Sequence, residues 1–223
     1  MILYAIPTPL GSSPEESLPA PALRRIRGLK DFIVENAKSA RAFLGALGMP
    51  VRELSIKVIG EERDPLEPLR ARRSLGLLSE AGSPAIADPG AEIVDAAHQE
   101  GFRVVPLVGP SSIVLALMAS GLEGQRFAFC GYLPREAGER TKRIRELEQR
   151  SRREEETEIF IETPYRNDAL FAALLLSCNA NSKLCVAADL TLPGESVTTR
   201  TIGEWRDAAG PGKRPAVFLL LAD

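Results

Sequence analysis

The sequence predicts an α/β protein in which a mostly parallel sheet is followed by a second α/β domain. Short apolar runs alternate with stretches of helical periodicity, and most of these runs end at loops rich in Gly, Pro, Ser or Thr. The 223 residues suffice for one large domain or for two smaller ones. This alternation favours parallel strands with helices on both faces of the sheet.

The first half of the chain contains five predicted strands, at residues 2–6, 31–35, 54–59, 75–78 and 103–108. Asn36 is the predicted N-cap of a helix over 37–47, because its side chain can accept hydrogen bonds from the first helical turn. Further helices are predicted over 91–99 and 113–119. Gly121 ends the last of these, so we place the domains at 1–121 and 122–223.

The second half predicts a mixed sheet with one long charged helix over 135–156 and a second helix over 168–176. Its strands are predicted at 126–130, 158–162, 183–189, 197–202 and 216–222. The Thr-rich alternation over 197–201 suits an antiparallel partner for the last strand.

Composition excludes several classes of protein. The formal net charge is −2, so any nucleic-acid surface must be a local patch. Three cysteines without CxxC spacing and a single histidine, His98, argue against a disulfide framework or a metal site. No apolar run reaches the roughly 20 residues that span a bilayer, and no secretory signal is recognisable. We therefore expect a soluble, cytoplasmic protein that binds no metal.

The loop from Ser79 to Gly90 is the most distinctive segment. It leaves the carboxyl end of a predicted strand, which is where open α/β sheets place their ligands. Glu80 and Asp88 in this loop, together with Glu35 after the second strand, are candidate general bases. Each carboxylate also fits a structural role as a cap or turn residue. The chain has neither a GxGxxG fingerprint nor a GxxxxGK[ST] loop, so the common nucleotide-binding motifs are excluded.

Five stretches resemble motifs of the tetrapyrrole (corrin/porphyrin) methylase superfamily, and within it of the branch of the bacterial 16S rRNA 2′-O-methyltransferases (cytidine). They occur along this chain in the same order as in the family. They are Leu3 to Gly11, Ser79 to Gly90, Val104 to Gly121, Phe127 to Pro134 and Glu162 to Arg166. The resemblance implies a cleft between two α/β domains that binds S-adenosyl-L-methionine (SAM), a homodimer, and an RNA acceptor in 16S rRNA or the small subunit. Two stretches depart from this branch. Gly11-Ser12-Ser13 stands where the branch has Gly-Asn-Leu, and Glu35-Asn36-Ala37-Lys38 stands where it has EDTR.

The resemblance also implies which residues hold the cofactor. Glycines such as Gly82 would allow close backbone approach, apolar side chains would enclose the adenine, and two serines would face the carboxylate. The predicted cofactor-binding residues are Pro7, Gly82, Ser83, Pro84, Ile86, Ser111, Ser112, Tyr132, Leu133 and Ala188.

Three functions stay open at this point. The first is a SAM-dependent methyltransferase of the rRNA branch with the same or a different acceptor. The second is a methylase of tetrapyrroles or other small molecules, and the third is a non-catalytic SAM-binding module. Basic clusters at 135–153, at 24–27 and at 70–73 are each either phosphate-binding or simply solvated.

Overall fold

The computed structural model describes residues 1–223 and divides into two compact units, Met1–Ser111 and Ser112–Asp223. Each unit contains one five-stranded sheet, which confirms the predicted pair of α/β domains. None of the helices combines the length and the apolar character that crossing a membrane requires.

The first unit is built on a parallel sheet of strand order β3-β2-β4-β1-β5. Its strands are β1 (Ile2–Ile6), β2 (Asp31–Val34), β3 (Ser55–Val58), β4 (Leu75–Leu78) and β5 (Arg103–Pro106). Its helices are α1 (Pro14–Ser17), α2 (Ala20–Arg27), α3 (Ala37–Ala46), α4 (Glu67–Arg70) and α5 (Ala91–Gln99). A single 3₁₀ turn, Val51–Glu53, precedes β3.

Successive side chains of the central strands point to opposite faces of this sheet, and each face has its own apolar core. Ile6, Val34 and Leu78 pack with the buried residues of α2 and α3. Leu3 and Leu77 pack on the other face with those of α4 and α5. Helices therefore cover both faces, as the continuous apolar character of the strands predicts.

The start of α3 shows how local sequence sets an element. The Asn36 side-chain oxygen accepts hydrogen bonds from the backbone N–H of Lys38 at 2.8 Å and of Ser39 at 3.4 Å. This confirms the predicted N-cap, which satisfies two backbone donors that have no partner within the helix.

The second unit is built on a mixed sheet of order β6-β7-β10-β8-β9. Its strands are β6 (Phe127–Tyr132), β7 (Thr157–Ile161), β8 (Lys183–Ala188), β9 (Ser196–Thr201) and β10 (Ala216–Leu221). Its helices are α6 (Ser112–Ser120), α7 (Ala137–Glu154), α8 (Asn167–Ser177) and α9 (Ile202–Trp205), and a 3₁₀ turn, Pro164–Arg166, precedes α8. Strands β6 and β7 are parallel, whereas the other neighbouring pairs are antiparallel.

The expected pairing of the Thr-rich strand with the last strand is wrong. Strand β9 pairs with β8, with Lys183 opposite Thr201, and it forms the edge of the sheet. Strand β10 instead lies between β7 and β8. The reason is burial, since five of the six residues of β10 are buried while those of β9 are partly or fully exposed. The more apolar strand occupies the centre.

Helix α6 contacts β8, β9 and β10 and so belongs to the second unit. The division between the units thus falls before this helix, whereas the sequence places the domain boundary after Gly121.

The cysteines are free thiols, as their spacing suggests. Cys178 and Cys185 are buried, and Cys130 is partly buried. Burial raises the pKa of Cys178 to about 12 and, with the carboxylate of Glu158, that of Cys130 to about 11. Such thiols stay protonated near neutral pH, which fits a packing role.

A glycine in β4 sets how closely the central strands pack. A Cβ atom at Gly76 would lie 2.7 Å from Cδ1 of Phe32 and 2.8 Å from Cδ1 of Ile6, closer than real contacts allow. We expect Gly76→Ala to lower the free energy of unfolding by about 1–3 kcal/mol, because an overpacked core must shift.

The matched control is Gly45→Ala in α3, where the new methyl group would meet only Val51 at 3.6 Å. This variant should gain about 0.5–1 kcal/mol from helix propensity. Urea denaturation followed by circular dichroism measures both variants. Equal stability of Gly76→Ala and the wild type would contradict the packing described for β4.

Candidate functional site at the carboxyl edge of the parallel sheet

The parallel pairing of the first unit brings several chain segments to one edge. Pro7, Glu35, Ser79 and Leu107 each follow directly on a strand, and those four strands are neighbours in the order β2-β4-β1-β5. We call the segments that start there, at 7–11, 79–90 and 107–111, the carboxyl-edge loops. This edge is the usual position of ligand sites in open α/β sheets.

Two of the carboxyl-edge loops are joined by a pair of backbone hydrogen bonds. The N–H of Thr8 donates to the carbonyl of Gly82 at 2.8 Å, and the N–H of Gly82 donates to the carbonyl of Thr8 at 3.0 Å. The buried Thr8 hydroxyl also donates to the carbonyl of Ser79 at 3.3 Å. Gly82 has a φ of +78°, so its part in this arrangement is to supply a backbone conformation that other residues rarely adopt.

The third loop is tied to the second through a side chain. The Ser83 hydroxyl donates to the carbonyl of Pro110 at 3.2 Å. Beside it, a Cβ atom at Gly109 would lie 2.6 Å from Cβ of Pro7 and 2.7 Å from Cδ2 of Leu18. Gly109 therefore lets the first and third loops pack against each other. The three loops form one connected structure.

The loop at 79–90 also contains backbone strain. Ala85 and Ala87 have φ values of +64° and +65°, in the left-handed region that costs an alanine roughly 1–2 kcal/mol. Non-glycine residues persist in this region only where the surrounding structure holds them, and such positions concentrate at functional sites. Between them, Ile86 is left 49% exposed.

The three predicted catalytic carboxylates come together at this edge. The N–H of Glu80 donates to Oε2 of Glu35 at 3.0 Å, which connects the loop after β4 to the end of β2. Burial and the negative charges of Glu35 and Glu80 raise the pKa of Asp88 to about 6, and the Ser79 hydroxyl opposes part of this shift. The three carboxylates form no ion pair in the structure, which leaves the cluster negatively charged.

This arrangement suits two kinds of chemistry. A carboxylate whose pKa lies near 6 is mostly ionised at neutral pH and is basic enough to accept a proton from a reacting group. A cluster of negative charge without cationic partners also favours a positively charged ligand. The first property arises from the burial of Asp88 and its crowding by Glu35 and Glu80, and the second from the shared negative charge of the three carboxylates.

Of the five remaining predicted cofactor-binding residues, four lie on the second unit, and Ser111 is the last residue of the first. Tyr132 is 56% exposed, whereas Leu133 and Ala188 are buried in the apolar core of that unit. Ser112 is the first residue of α6, and Ser111 precedes it. Contact of these residues with a cofactor stays a prediction.

Sequence reasoning missed Thr8 and Ser79. Both are buried hydroxyl residues next to a strand end, and both hold the loops through carbonyl oxygens. The only available signal was a hydroxyl side chain within each Gly/Pro-rich loop. Thr8 and its partner Ser79 lie about 70 residues apart in the chain, so tertiary pairing alone brings these two residues together.

The raised pKa of Asp88 predicts how stability depends on pH. The pKa of Asp88 in the folded protein, about 6, lies above the unfolded value of about 3.9. Protonated Asp88 therefore contributes stability that is fully present below a pH of about 3.9 and is lost as the pH rises through about 6. Asparagine resembles the protonated form at every pH. Asp88→Asn should therefore be more stable than the wild type at pH 8, by about 1 kcal/mol after allowing for screening of a half-exposed group.

Thermal unfolding at a series of pH values measures this difference, which should shrink between pH 6 and pH 4. Asp207→Asn removes the same charge from an exposed position on the second unit and should not reproduce the effect. A gain in stability that is equal at pH 8 and pH 4 would rule out the described environment of Asp88.

Comparison with known proteins identifies the family to which this site belongs. Residues 18–205 match the family model of the tetrapyrrole (corrin/porphyrin) methylases. A "Ribosomal RNA small subunit methyltransferase I" of Halalkalibacterium halodurans is 31% identical over 206 residues, which cover 91% of this chain and 68% of the relative. The protein of the same name from Mesorhizobium japonicum is 32% identical over 203 residues, or 90% of this chain and 67% of that protein.

A third relative with this name, from Bacillus subtilis, is 31% identical over 206 residues, with 91% of this chain and 68% of the relative covered. The matched region includes the carboxyl-edge loops at 79–90 and 107–111 and most of both units. The chain is a methyltransferase, and it belongs to the tetrapyrrole (corrin/porphyrin) methylase family.

Proposed function

We propose that this protein transfers a methyl group from SAM to a ribose hydroxyl of small-subunit rRNA. The observation that carries the proposal is the position of Asp88, a half-buried carboxylate beside Glu35 and Glu80 at the carboxyl edge of the parallel sheet. The names of the relatives support the class of acceptor. The resemblance to the 2′-O-methyltransferase branch supports the hydroxyl.

The residues at this edge fit a cationic cofactor. SAM supplies an electrophilic methyl group on a positively charged sulfur. The uncompensated carboxylates of Glu35, Glu80 and Asp88 favour positive charge, and the strained loop presents the half-exposed Ile86 as an apolar contact. We propose that Pro7, the 82–84 segment and Ile86 contribute to binding from the first unit.

Each carboxylate has a distinct part in the proposed reaction. Asp88 accepts the proton that the attacking hydroxyl loses, since its pKa near 6 leaves it ionised yet basic at neutral pH. Glu35 holds the Glu80 backbone amide and raises the pKa of Asp88 through its charge. Ordered loops keep the reacting groups aligned, which lowers the barrier further.

The proposal extends to a homodimer that acts in the cytoplasm. The family resemblance supports the dimer, and the three free thiols agree with a reducing compartment. Sedimentation equilibrium of the purified protein measures the oligomeric state directly, and a monomer at micromolar concentration would remove the dimer from the proposal.

Binding of the cofactor product S-adenosylhomocysteine should raise the melting temperature. A ligand at 100 times its Kd adds about 2.7 kcal/mol to the stability of the folded state, or roughly 5–10 °C for a chain of this size. Ile86→Ser should weaken this binding by about tenfold, because a partly buried apolar contact is lost.

The control is Leu176→Ser, which changes an equally apolar side chain that is 85% exposed on α8. Titration by differential scanning fluorimetry and calorimetry compares the two variants. Equal affinity of Ile86→Ser and the wild type would remove Ile86 from the binding site, and no shift at millimolar ligand would overturn SAM binding altogether.

Methyl transfer should depend on pH through Asp88. With small ribosomal subunits as acceptor, kcat/KM of the wild type should fall below about pH 6 as Asp88 becomes protonated. Glu35→Gln keeps an oxygen for the Glu80 amide but removes a negative charge, so the acid limb should move to lower pH. Glu80→Gln should move it less, because the charge of Glu80 has the smaller effect on the pKa of Asp88.

Asp88→Asn should bind S-adenosylhomocysteine and lose transfer by about 100-fold or more, the usual contribution of a general base. Transfer of tritiated methyl groups to small subunits, bulk RNA and small-molecule extracts measures activity and identifies the acceptor. Labelling of a small molecule in place of RNA would favour the second function considered from the sequence, and binding without any transfer would favour the third.

A further inference from the structure

A second concave site lies at the opposite edge of the same parallel sheet. Strands β1, β2 and β4 begin there, and the residues around their amino-terminal ends surround a pocket of about 450 Å³. We call this the amino-edge pocket. The charged residues of its lining are Arg24, Arg25, Lys30, Asp31, Arg72 and Arg73.

The amino-edge pocket has an excess of positive charge. Its one acid, Asp31, is buried and paired with Arg73 at 3.0 Å, and Arg73 also pairs with Glu67 at 3.0 Å. Four other cations of the lining are exposed and form no ion pair or side-chain hydrogen bond in the structure; they are Arg24, Arg25, Lys30 and Arg72. The charge of these four side chains is therefore available to an anion.

The backbone at Arg72 adds a second, independent observation. This residue follows the carboxyl end of α4 with a φ of +61°, the left-handed position where glycine usually ends a helix. Arginine is strained there, at a cost of roughly 1 kcal/mol relative to glycine. Fold stability alone therefore does not explain an arginine at this position, and its side chain lines the amino-edge pocket.

The other basic segment of the chain differs from this pocket. On α7, Arg150 pairs with Glu158 and Glu156, Arg143 pairs with Glu146, and Arg153 pairs with Glu154. Three of the seven cations of that helix therefore have a carboxylate partner within their own unit. The amino-edge pocket combines unpaired cations with a concave shape, which favours it as the site for a polyanion.

We propose that the amino-edge pocket binds backbone phosphates of the acceptor RNA at nucleotides away from the one that is methylated. This inference rests on the proposed rRNA acceptor. Strands of four or five residues separate the two edges of the sheet by about 15 Å, a distance that a few nucleotides span. Guanidinium groups hold phosphate oxygens through paired hydrogen bonds, so Arg24, Arg25 and Arg72 position the RNA without reading its sequence.

The first experiment measures RNA affinity as a function of salt with a fluorescein-labelled RNA oligonucleotide of mixed sequence. The double variant Arg24→Gln/Arg25→Gln should weaken binding by about tenfold and reduce the slope of log K against log salt by about 1.4, or roughly 0.7 for each lost phosphate contact. The control Arg145→Gln/Arg206→Gln removes the same charge from exposed positions of the second unit and should leave the slope unchanged.

The second experiment separates binding from folding. Arg72→Gly should keep or raise the melting temperature, because strain is relieved, and yet weaken RNA binding several-fold. Its control is Glu155→Gly, which relieves the same kind of strain after α7, where φ is +53°, and should not weaken RNA binding. Loss of affinity in both glycine variants, or in neither, would overturn the role given to Arg72.

Methyl transfer to small subunits by the same variants distinguishes this inference from the function on which it rests. The pocket variants should raise KM for the subunits and leave kcat unchanged. If the wild type is active and Arg24→Gln/Arg25→Gln has the same KM as the wild type, the proposed role of the pocket alone is overturned. If the wild type binds RNA through the pocket but has no transfer activity, the proposed reaction alone is overturned.

Two further results would overturn the inference directly. One is a wild-type protein that does not bind the RNA oligonucleotide at low salt. The other combines two observations. Inorganic phosphate raises the melting temperature more than chloride of equal ionic strength does, and this rise depends on Arg24 and Arg25, yet all variants bind the RNA with the same affinity. The second result would assign the pocket to a small phosphate compound.

Discussion

The parallel pairing of β1 with β4 and β5 is the constraint on which the first unit depends. Leu3 lies opposite Leu75 and Ile6 opposite Leu78, so strands far apart in the chain end at the same level. A parallel sheet of this kind needs both faces covered, and the two apolar cores provide that cover. Since every strand runs the same way, all following loops meet at one edge, and all preceding segments meet at the other.

This directionality separates opposite charges within one small unit. Three carboxylates without cationic partners gather where the strands end, around Asp88, and four unpaired cations surround the pocket where β1, β2 and β4 begin. Burial and the cost of placing like charges together raise the pKa of Asp88. A methyltransferase that takes a cationic methyl donor and a polyanionic acceptor has a use for each cluster. The net charge of the whole chain is small, although the acidic cluster and the amino-edge pocket are each strongly charged.

The sequence predicted the strands of both units to within a few residues, because most are short apolar runs bounded by Gly, Pro or a capping residue such as Asn36. It also predicted Glu35, Glu80 and Asp88 as candidate bases, and these carboxylates lie at one edge of the sheet. What it did not contain was pairing between distant segments. The position of β10 in the centre of its sheet and the bridge between Thr8 and Gly82 depend on the burial of whole strands. No local sequence pattern indicates which strand takes the central position or which loops pair.

The remaining surprises occur at residues that break local rules. Ala85, Ala87 and Arg72 are three of the six non-glycine residues with positive φ, and they are those of the first unit; the chain uses glycine for this conformation at many other turns. A glycine at each would cost less in the folded state, so stability alone does not explain these residues. They lie at the two opposite edges of the parallel sheet, beside the acidic cluster and in the basic pocket. Strain held next to both charge clusters is what a fold selected for binding, rather than for maximal stability, would retain.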